Sequence, residues 1–421
     1  MKKNVLVFPC GSEIGLEVYR ALKFSKDFHL IGGSSVSDHG EFVYEDYIDN
    51  IPFIDDERFI DKLNCIIREY GIDMIIPAHD SVVLKLAQYS DKIDAIIVSS
   101  NLYACDICRS KKKTYDLFKD VLPVPIVYNS IDDVDEFPVF LKPDVGQGAK
   151  GTKKVNNYEE LKFYFEHSDD DLLILEYLPN DEYTIDCFTD YNGNILYCEG
   201  RKRNRISNGI SVSSIAVSND KFIEYARIIN EKLKMNGAWF FQLKERQNGE
   251  FGLLEIAPRI AGTMEFQRAY GVNLPLLSLY NSLNIPVSIY KNNYEVRMDR
   301  ALSTTFKILY DYDRVYVDLD DTLIVENQVN YELISFLYKC MNEGKRLILV
   351  TRHAVDPLLT LEKFKIYNFF DEIIHLDRES NKSDYIYDNS IFIDDSHSER
   401  VKVYKKNNIP VFDVNMIDTL K

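Results

Sequence analysis

Two pairs of acidic residues in the last quarter of the chain have the spacing that phosphate chemistry requires. Asp318 and Asp320 follow a short apolar run, and a second pair, Asp394 and Asp395, follows another. Carboxylates at positions i and i+2 after a strand can both face a ligand if the chain turns immediately. One of them can then attack phosphorus while the other handles the proton of the leaving group.

A hydroxyl and a cation lie between these acidic pairs. Thr351 ends a further apolar run, and Lys382 lies in a polar stretch before a helix, with Lys363 and Lys365 as alternative cations. Three strand tips are thus predicted to present acids or a hydroxyl, and buried acids need a metal ion or a basic partner. Residues 313–421 resemble the haloacid dehalogenase (HAD) superfamily of phosphatases, whose four motifs are present.

That resemblance implies a role for each residue. Asp318 is implied to be the nucleophile that becomes an aspartyl phosphate, and Asp320 the general acid/base. Thr351 and Lys382 are implied to bind and neutralise the phosphoryl group. Little sequence precedes the predicted helix at Tyr331, so only a minimal cap is expected. The groups implied to surround Mg²⁺ are Asp318, the backbone carbonyl of Asp320, Asp394 and, nearby, Asp395.

A second group of candidate residues lies in the middle of the chain. Lys142 ends the strand-like segment 138–142, and a loop with Gly146, Gly148 and Gly151 follows. Glycine lets the backbone approach phosphates closely, and phosphates also need cations. A glycine-rich loop is equally typical of a flexible turn, so the prediction of a nucleotide site depends on the residues that follow it.

Those later residues have the order that a Mg-ATP site requires. Gln242 and Glu255 lie on the two arms of a predicted hairpin whose turn is Asn248-Gly249, so both can face the same side. An amide oxygen and a carboxylate together are suitable ligands for Mg²⁺. Arg259 follows closely and can neutralise a phosphoryl group during transfer.

The stretch 110–263 resembles the ATP-grasp superfamily, most closely the branch of carbamoyl phosphate synthase, biotin carboxylase and related carboxylate ligases. The resemblance implies that Lys111 contacts the ATP phosphates, with Lys112 and Lys113 as alternatives in register. Lys142 is implied to be the second nucleotide lysine. Members of the superfamily phosphorylate a carboxylate with ATP, and an amine then attacks the acyl phosphate.

The same resemblance assigns the rest of the nucleotide site. The loop containing Gly146, Gly148 and Gly151 is implied to be a mobile lid. Arg259 is implied to contact the reacting phosphate. The residues implied to bind adenine and ribose are Glu176, Tyr177, Leu178 and Glu182. The residues implied to hold Mg²⁺, or Mn²⁺ as an alternative, are Gln242 and Glu255.

One position departs from the family pattern, which reads Glu-x-Asn-Pro-Arg. The corresponding segment of this chain, 255–259, has Ala257 in place of the asparagine. Alanine cannot coordinate a metal ion, so either one Mg²⁺ is held by fewer protein ligands or water fills the position. This departure weakens a two-metal arrangement but is compatible with ATP binding.

Three other groups are open between a binding role and an ordinary structural one. A basic run predicted to lie between two strands could hold the carboxylate or acyl phosphate, or could be a solvated surface: Arg201, Lys202, Arg203 and Arg205. Turn residues after predicted strands could line a pocket: Gly11, Ser12, Pro77, His79 and Asp80. Cys105 and Cys108 form a single CxxC, for which local packing is favoured over a zinc site.

The order of elements predicts an α/β and α+β multidomain protein. Strand-like and helix-like segments alternate in residues 1–105, as in a doubly wound parallel sheet, and this part resembles the Rossmann-like domain that precedes ATP-grasp folds. Residues 106–310 are predicted to form the ATP-grasp domain. The alternation returns in residues 311–421, which are predicted to form a HAD-like Rossmannoid domain.

The bulk properties restrict the partners. The formal net charge is −17 over 421 residues, and such an acidic surface repels nucleic acids and anionic membranes. No apolar run approaches the roughly 20 residues of a membrane span, and the first apolar run is too short for a signal peptide. We therefore expect a cytoplasmic protein whose partners are a carboxylate, an amine and a phosphorylated metabolite. A homodimer is compatible with these properties.

Together these patterns predict a bifunctional enzyme. The central part is predicted to ligate a carboxylate to an amine with formation of ADP, and the C-terminal part to hydrolyse a phosphate monoester through Asp318. Two alternatives remain open: an ATP-dependent phosphotransferase without ligation, and a phosphatase whose ATP-grasp part only binds a regulatory nucleotide.

Overall fold

The computed structural model divides the protein into two compact units, Met1–Leu302 and Ser303–Lys421, which we call unit 1 and unit 2. It describes residues 2–146, 148, 150–168, 171–207 and 209–420. The predicted boundary at 105/106 lies inside unit 1, and the predicted boundary at 310/311 lies a few residues inside unit 2. The subdivision of unit 1 into two domains stays a prediction.

Unit 1 begins with a parallel five-stranded sheet of order β3-β2-β1-β4-β5. Its strands are β1 Lys3–Phe8, β2 Phe28–Gly33, β3 Asp46–Ile48, β4 Met74–Pro77 and β5 Ile96–Ile97. The helices of this part are α1 Glu13–Leu22, α2 Phe59–Tyr70, α3 Asp80–Gln88 and α4 Leu102–Arg109. The central strands are buried on both faces, which explains their continuous apolar sequence. The predicted alternation of strands and helices is therefore confirmed.

A smaller antiparallel sheet of order β6-β9-β7-β8 follows. Its strands are β6 Val127–Tyr128, β7 Val139–Pro143, β8 Lys153–Val155 and β9 Leu172–Glu176. The helices of this part are α5 Lys111–Phe118 and α6 Tyr158–Glu166. Ser110 begins α5 by accepting a hydrogen bond from the backbone N–H of Lys113, which satisfies one donor of the first turn. Because Ser110 is the cap, Lys111 occupies the first helical position.

The largest sheet of unit 1 is antiparallel, with the order β14-β13-β10-β11-β12-β15. Its strands are β10 Glu182–Thr189, β11 Ile195–Ser207, β12 Ile210–Val217, β13 Gly237–Glu245, β14 Phe251–Ala257 and β15 Arg297–Asp299. The remaining helices are α7 Asp220–Leu233, α8 Glu265–Ala269 and α9 Leu274–Ser282. The buried face of α7 packs with apolar side chains of β10, β13 and β14, including the single tryptophan, Trp239. This cluster is one of the main cores of unit 1.

The basic run was predicted to lie between strands, and this prediction is wrong. Arg201 and Arg203 lie within β11, which pairs with β10 on one side and β12 on the other. Side chains two residues apart in a strand point to the same face, so these two arginines share one side of the sheet. The run was placed between strands, with a binding role and a solvated surface both open, because the sequence does not show which acidic residues the neighbouring strands place opposite it.

Unit 2 is built on a parallel five-stranded sheet of order β20-β19-β16-β21-β22. Its strands are β16 Arg314–Val317, β19 Arg346–Thr351, β20 Glu372–His375, β21 Ser390–Ile393 and β22 Val411–Phe412. Its helices are α10 Tyr331–Asn342, α11 Pro357–Lys363 and α12 His397–Asn407. Because β16 lies between β19 and β21, the carboxyl ends of these three strands meet at one edge, where such sheets bind ligands.

The connection from β16 to α10 contains only a short hairpin, β17 Ile324–Val325 and β18 Gln328–Val329. Its turn residues Glu326 and Asn327 both have positive φ, as a type I′ hairpin turn requires. Short 3-10 helices in the described part of the chain are His39–Phe42, Ser90–Lys92, Ile131–Asp133, Lys382–Asp384 and Val414–Leu420. In the described residues, no helix combines the length and apolar character needed to cross a membrane.

Candidate active sites

A cavity of about 250 Å³ in unit 1 collects most of the residues predicted to bind a nucleotide. It is lined by side chains of both antiparallel sheets and of α5. The predicted residues on its wall are Lys111, Lys142, Gly146, Gly148, Glu176, Tyr177, Leu178, Glu182, Gln242 and Glu255. Gly151 is not on the wall, and two positions of its loop, 147 and 149, lie outside the described residues. We call this space the first cavity.

One end of the first cavity is apolar and is bordered by the segment that joins β9 to β10. The Glu176 carboxylate accepts two hydrogen bonds of 3.0 Å from the Arg246 guanidinium and one of 3.2 Å from the Ile126 backbone N–H. Its side chain is therefore occupied in holding the segment, whereas Tyr177 and Leu178 line the cavity beside Phe140. This end can accept a flat apolar ring, and Arg246 supports it although no sequence motif indicated that residue.

The other end of the first cavity is cationic. Lys111 is buried, and its Nζ donates to the Asp144 carbonyl at 3.0 Å. Burial, followed by the nearby Lys142, lowers the pKa of Lys111 to about 8. Of the two register alternatives, Lys112 is exposed and Lys113 forms an ion pair with Asp106 at 2.8 Å. Only Lys111 of these three lysines faces the cavity.

Two oxygen donors lie opposite each other near this cationic end. Gln242 on β13 is paired in register with Glu255 on β14, and both line the cavity. The Nζ of Lys142 lies 3.7 Å from a carboxylate oxygen of Glu255. Ala257, two residues further along β14, is buried and has no side-chain donor. The donor set fits one divalent cation better than two.

The predicted ribose ligand, Glu182, has basic neighbours instead of an open carboxylate. It contacts Arg203 and lies 3.6 Å from the Nζ of Lys244. Arg203 also donates to Gln242 at 3.4 Å. The arginine therefore links the predicted ribose ligand to the predicted metal ligand, which sequence spacing did not indicate.

A second cavity of about 290 Å³ shares Lys111, Arg203, Gln242 and Glu255 with the first. Its wall includes side chains that follow strands of the parallel sheet. Of the five turn residues that sequence left open, Ser12, His79 and Asp80 line this second cavity, and Gly11 and Pro77 do not. The shared walls join the two cavities at the cationic end of the first.

Arg259, predicted to contact the reacting phosphate, lies on the wall of the second cavity and not of the first. Its guanidinium pairs with the Asp80 carboxylate through contacts of 2.6 and 2.8 Å. Burial opposes ionisation of Asp80, but the charge of Arg259 outweighs it and the pKa of Asp80 lies below its ordinary value. Asp80 is thus a partner of Arg259 that sequence did not predict.

A buried arginine of the basic run also reaches the second cavity. Arg201 donates to both oxygens of Asp186, at 2.9 and 3.4 Å, and both side chains are essentially inaccessible to solvent. Gln267 donates to Asp186 at 2.8 Å and accepts from the Tyr197 hydroxyl at 2.7 Å. Among the described residues, Nη1 of Arg201 has no hydrogen-bond partner. The Arg201 guanidinium is thus fixed by Asp186, and its Nη1 group can still donate a hydrogen bond to a ligand.

In unit 2, three of the predicted catalytic side chains meet at the edge of the sheet. The Nζ of Lys382 lies 2.7 Å from Asp318 and 2.7 Å from Asp394, and all three side chains are buried. Thr351 is fully buried, and its hydroxyl faces Asp318 without a hydrogen bond of ordinary geometry in the described part of the chain. The alternative cation Lys363 is instead bonded to Asn327 at 2.8 Å.

The acids of unit 2 could hold a metal ion. Asp318, Asp394 and Asp395 each offer a carboxylate oxygen, and these atoms lie within 4.8 Å of one another. Burial raises the pKa of Asp318 above its ordinary value and that of Asp394 to about 6, against the opposing charge of Lys382. Carboxylates crowded in this way gain from a divalent cation, so the donor set fits Mg²⁺.

The predicted general acid/base, Asp320, lies apart from this buried group. Its side chain is 53% exposed, and both of its oxygens lie within 2.9 Å of Nδ1 of His353. Nothing in the HAD-like motifs pointed to His353. Its position two residues after Thr351 was the available signal, because residues that follow a strand tip point towards the same edge of the sheet.

One family model matches a segment that lies within unit 1. The family model described as "ATP-grasp in the biosynthetic pathway with Ter operon" matches residues 168–302. Carbamoyl-phosphate synthase from Methanobrevibacter smithii is 27% identical over 150 residues, which is 32% of this chain. The match spans 40% of the length of that curated relative.

Solved structures show the same fold. One of them is the biotin carboxylase domain of 2-oxoglutarate carboxylase from Hydrogenobacter thermophilus, which was solved as a dimer with MgADP, ADP and bicarbonate. It aligns with a TM-score of 0.59 at 16% identity, and the alignment covers 69% of this chain and 72% of that one. L-amino acid ligase from Bacillus licheniformis aligns with a TM-score of 0.56 at 16% identity, over 68% and 75% of the chains. Unit 1 has the ATP-grasp fold.

The ADP complex of N5-carboxyaminoimidazole ribonucleotide synthetase also aligns with the chain, with a TM-score of 0.58 at 16% identity, over 70% of this chain and 80% of the other. The predicted ATP-grasp fold is therefore confirmed. The family match ends at residue 302, so the HAD-like assignment of residues 311–421 stays a prediction, supported by the geometry around Lys382.

Proposed function

We propose that the protein is a bifunctional enzyme, with ATP-dependent ligation in unit 1 and phosphate monoester hydrolysis in unit 2. In the first reaction a carboxylate is phosphorylated by ATP, and an amine displaces the phosphate to give ADP, phosphate and an amide. In the second, an aspartyl phosphate forms at Asp318 and is hydrolysed.

For ligation, the first cavity takes Mg-ATP. The adenine stacks in the apolar end beside Tyr177, and Lys111 and Lys142 neutralise the phosphates. Gln242 and Glu255 hold the magnesium ion, which supplies charge neutralisation to the phosphates when bound. These assignments are supported by the cavity wall and by the solved relatives, which bind ADP.

The acceptor carboxylate occupies the second cavity. Nη1 of Arg201 is a donor without a partner in the described chain, and Arg203 reaches the shared wall of the two cavities. A carboxylate bound there would lie beside the cationic end of the nucleotide cavity, where its oxygen can attack phosphorus. Positioning and charge neutralisation are the main contributions that this chain needs to supply.

The observation that carries the ligase proposal is the junction of two cavities at Lys111, Gln242 and Glu255. The test is a screen of carboxylate and amine pairs for release of ADP by the full chain. Ligation requires that release depend on both compounds and that an amide be found by mass spectrometry. ATP-dependent phosphorylation without any need for an amine would contradict ligation and favour a phosphotransferase.

For hydrolysis, Asp318 attacks phosphorus while Thr351 and Lys382 bind the phosphoryl oxygens. Asp320 protonates the leaving oxygen and later removes a proton from the water that cleaves the aspartyl phosphate. Asp318, Asp394 and Asp395 hold Mg²⁺, which supplies further charge neutralisation when bound. The contact of Lys382 with both Asp318 and Asp394 is the observation that carries this proposal.

Hydrolysis of 4-nitrophenyl phosphate by the full chain with Mg²⁺ tests the second activity. Asp318→Asn keeps the size of the side chain but is a poor nucleophile, so hydrolysis should be lost. If this variant hydrolyses the ester as fast as the parent, the phosphatase proposal is wrong.

A further inference from the structure

His353 makes contacts that none of the roles above requires. Its Nδ1 lies 2.8 and 2.9 Å from the two carboxylate oxygens of Asp320, and its Nε2 lies 2.8 Å from Oγ1 of Thr360 on α11. The backbone carbonyl of His353 is 2.8 Å from Nε2 of His375, at the end of β20. Contacts to Asp320 and Thr360 therefore hold the two ring nitrogens, and the contact to His375 holds the backbone of the same residue.

Asp320 needs such support more than its neighbours do. Asp318, two residues earlier, is buried and held by Lys382, whereas the Asp320 side chain is 53% exposed. An exposed carboxylate on a loop samples several rotamers, and a general acid acts only from one that reaches the leaving oxygen. His353, whose side chain is 16% exposed, is the hydrogen-bonding group that the structure places on this carboxylate.

The contact suits both protonation states of the acid. A neutral imidazole has one nitrogen that donates and one that accepts, and a hydroxyl such as that of Thr360 can do either. Nδ1 can therefore donate to the ionised carboxylate while Nε2 accepts from Thr360. When the acid is protonated, Nδ1 can donate to its carbonyl oxygen with the same tautomer, and the carboxyl O–H is left to protonate the leaving oxygen.

We propose that His353, supported by Thr360, is a positioning residue that holds Asp320 in the orientation needed for general acid and base catalysis. The inference rests on the proposed phosphatase activity. In the first step the Asp318 oxygen bonds to phosphorus, the ester P–O bond breaks, and the leaving oxygen takes the proton of Asp320. In the second, water bonds to phosphorus, the Asp318–phosphorus bond breaks, and Asp320 takes the proton of the water.

Leaving-group dependence separates this role from a purely structural one. 4-Nitrophenolate leaves without needing a proton, whereas an alkoxide needs one. Loss of a positioned acid should therefore slow the first step of an alkyl ester far more than that of 4-nitrophenyl phosphate. Loss of folding or of phosphate binding would instead lower both rates by the same factor.

The experiment compares butyl phosphate with 4-nitrophenyl phosphate in the full chain with Mg²⁺. His353→Ala should lower kcat/KM, which reports the first step, about tenfold more for butyl phosphate than for 4-nitrophenyl phosphate, a fraction of the 10²–10⁴-fold that general acids contribute. His353→Asn should restore much of the loss, because its amide can donate to the same carboxylate. Asp320→Asn should show the same selectivity to a greater extent.

Thr360 provides a matched pair if His353→Ala folds poorly. Thr360→Val removes the hydroxyl with little change in shape and should give a smaller selective loss, whereas Thr360→Ser keeps the hydroxyl and should behave as the parent. The inference is overturned if the folded His353 and Thr360 variants lose activity equally for both esters, or lose none. This conclusion requires that Asp318→Asn be inactive in the same assays. Full activity of Asp318→Asn would instead refute the underlying phosphatase proposal.

Discussion

Lys111 carries its charge in surroundings that disfavour it. The ammonium is buried next to Lys142, and these two effects lower its pKa to about 8. The Asp144 carbonyl is its hydrogen-bond acceptor at 3.0 Å. A polyphosphate in the first cavity would supply the negative charge that this lysine lacks, so binding and protonation of Lys111 should be coupled.

The first prediction concerns the pH dependence of nucleotide binding. In the free protein Lys111 loses its proton as the pH rises through about 8, and a bound polyphosphate favours the protonated form. The affinity for MgADP should therefore fall about tenfold between pH 7 and pH 9.5, with proton uptake on binding near pH 8, since one charged contact is lost. Isothermal titration calorimetry in buffers of different ionisation enthalpy measures both quantities.

Lys111→Arg is the control for this prediction. Arginine keeps its charge over the whole range, so the pH dependence should disappear even if the affinity itself is lower. An unchanged pH profile in this variant would show that another group is responsible.

The second prediction concerns the buried pair Arg201 and Asp186. Asp186→Asn leaves a buried guanidinium without its counter-charge, which should lower the free energy of unfolding of unit 1 by about 3 kcal/mol. Asp181→Asn breaks the exposed pair with Lys202 and should cost less than about 1 kcal/mol. Trp239, the single tryptophan, is buried in unit 1, so its fluorescence during urea unfolding reports on that unit. Similar costs for the two variants would contradict the prediction.

At the scale of elements, β11 and α7 can pack closely because residue 200 has no side chain. A Cβ at Gly200 would lie 2.3 Å from a ring carbon of Phe222 on α7 and 2.9 Å from the Val217 carbonyl. Both distances are shorter than a Cβ can approach another atom without a bond, so a side chain at this position would force the helix or the strand to move. The glycine therefore determines how near the helix lies to the sheet that carries Arg201 and Arg203.

The third prediction follows from this contact. Gly200→Ala should lower the free energy of unfolding of unit 1 by about 2 kcal/mol, because the helix must move away from the sheet. The double variant Gly200→Ala/Phe222→Leu should lose less unfolding free energy than the sum of the losses of the two single variants, because the smaller leucine leaves room for the new Cβ. Urea unfolding followed by Trp239 fluorescence measures all three; strict additivity would show that the clash with Phe222 is not the cause.

The hairpin β13–β14 shows how far an element could be predicted from sequence. Asn248-Gly249 indicated its turn, and Gly249 has the positive φ that the turn needs. The predicted hairpin put Gln242 and Glu255 on its two arms, able to face the same side, and the structure pairs them directly. That pairing needs a β-bulge between Gln242 and Leu243, because the register nearest the turn would otherwise place Gln242 opposite Leu254. Turn and periodicity do not predict the bulge. For β11 the same reasoning failed, because a charged run is compatible with a loop until the acids on neighbouring strands are known.

At the scale of the whole molecule, the protein carries two groups of candidate catalytic residues, one in each compact unit. Those around Glu255 lie in unit 1, and those around Asp318 lie in unit 2. The two proposed activities therefore use different side chains. Variants that remove one activity are expected to leave the other in place.

The fourth prediction tests this independence with the full chain. Asp318→Asn should lower hydrolysis of 4-nitrophenyl phosphate by about 10³-fold or more and leave ADP release from ATP within about twofold. Glu255→Ala should have the opposite pattern, because it removes a ligand for magnesium at the nucleotide. Parallel assays of both activities on each variant provide the comparison. Loss of both activities in either variant would indicate that the two sites act as one.

The sequence by itself determined that unit 1 combines a parallel sheet with an ATP-grasp fold, that strand–helix alternation returns in unit 2, and which residues end several strands of that second parallel sheet. These features depend on local periodicity and on motifs whose spacing is short, so Asp318, Thr351 and Asp394 could be predicted to meet at one edge of a parallel sheet. The predicted cavity residues of unit 1 followed from the resemblance and from the predicted hairpin.

Only the tertiary structure decided the partners of the charged groups. The order of strands in a sheet, or the packing of a helix on it, brings together three such pairs: Asp80 with Arg259, Asp186 with Gln267, and Asp320 with His353. Their separations along the chain carry no periodic signal. Burial then makes such pairing necessary, because an isolated charge inside the protein is costly, but any of several opposite charges could have satisfied it.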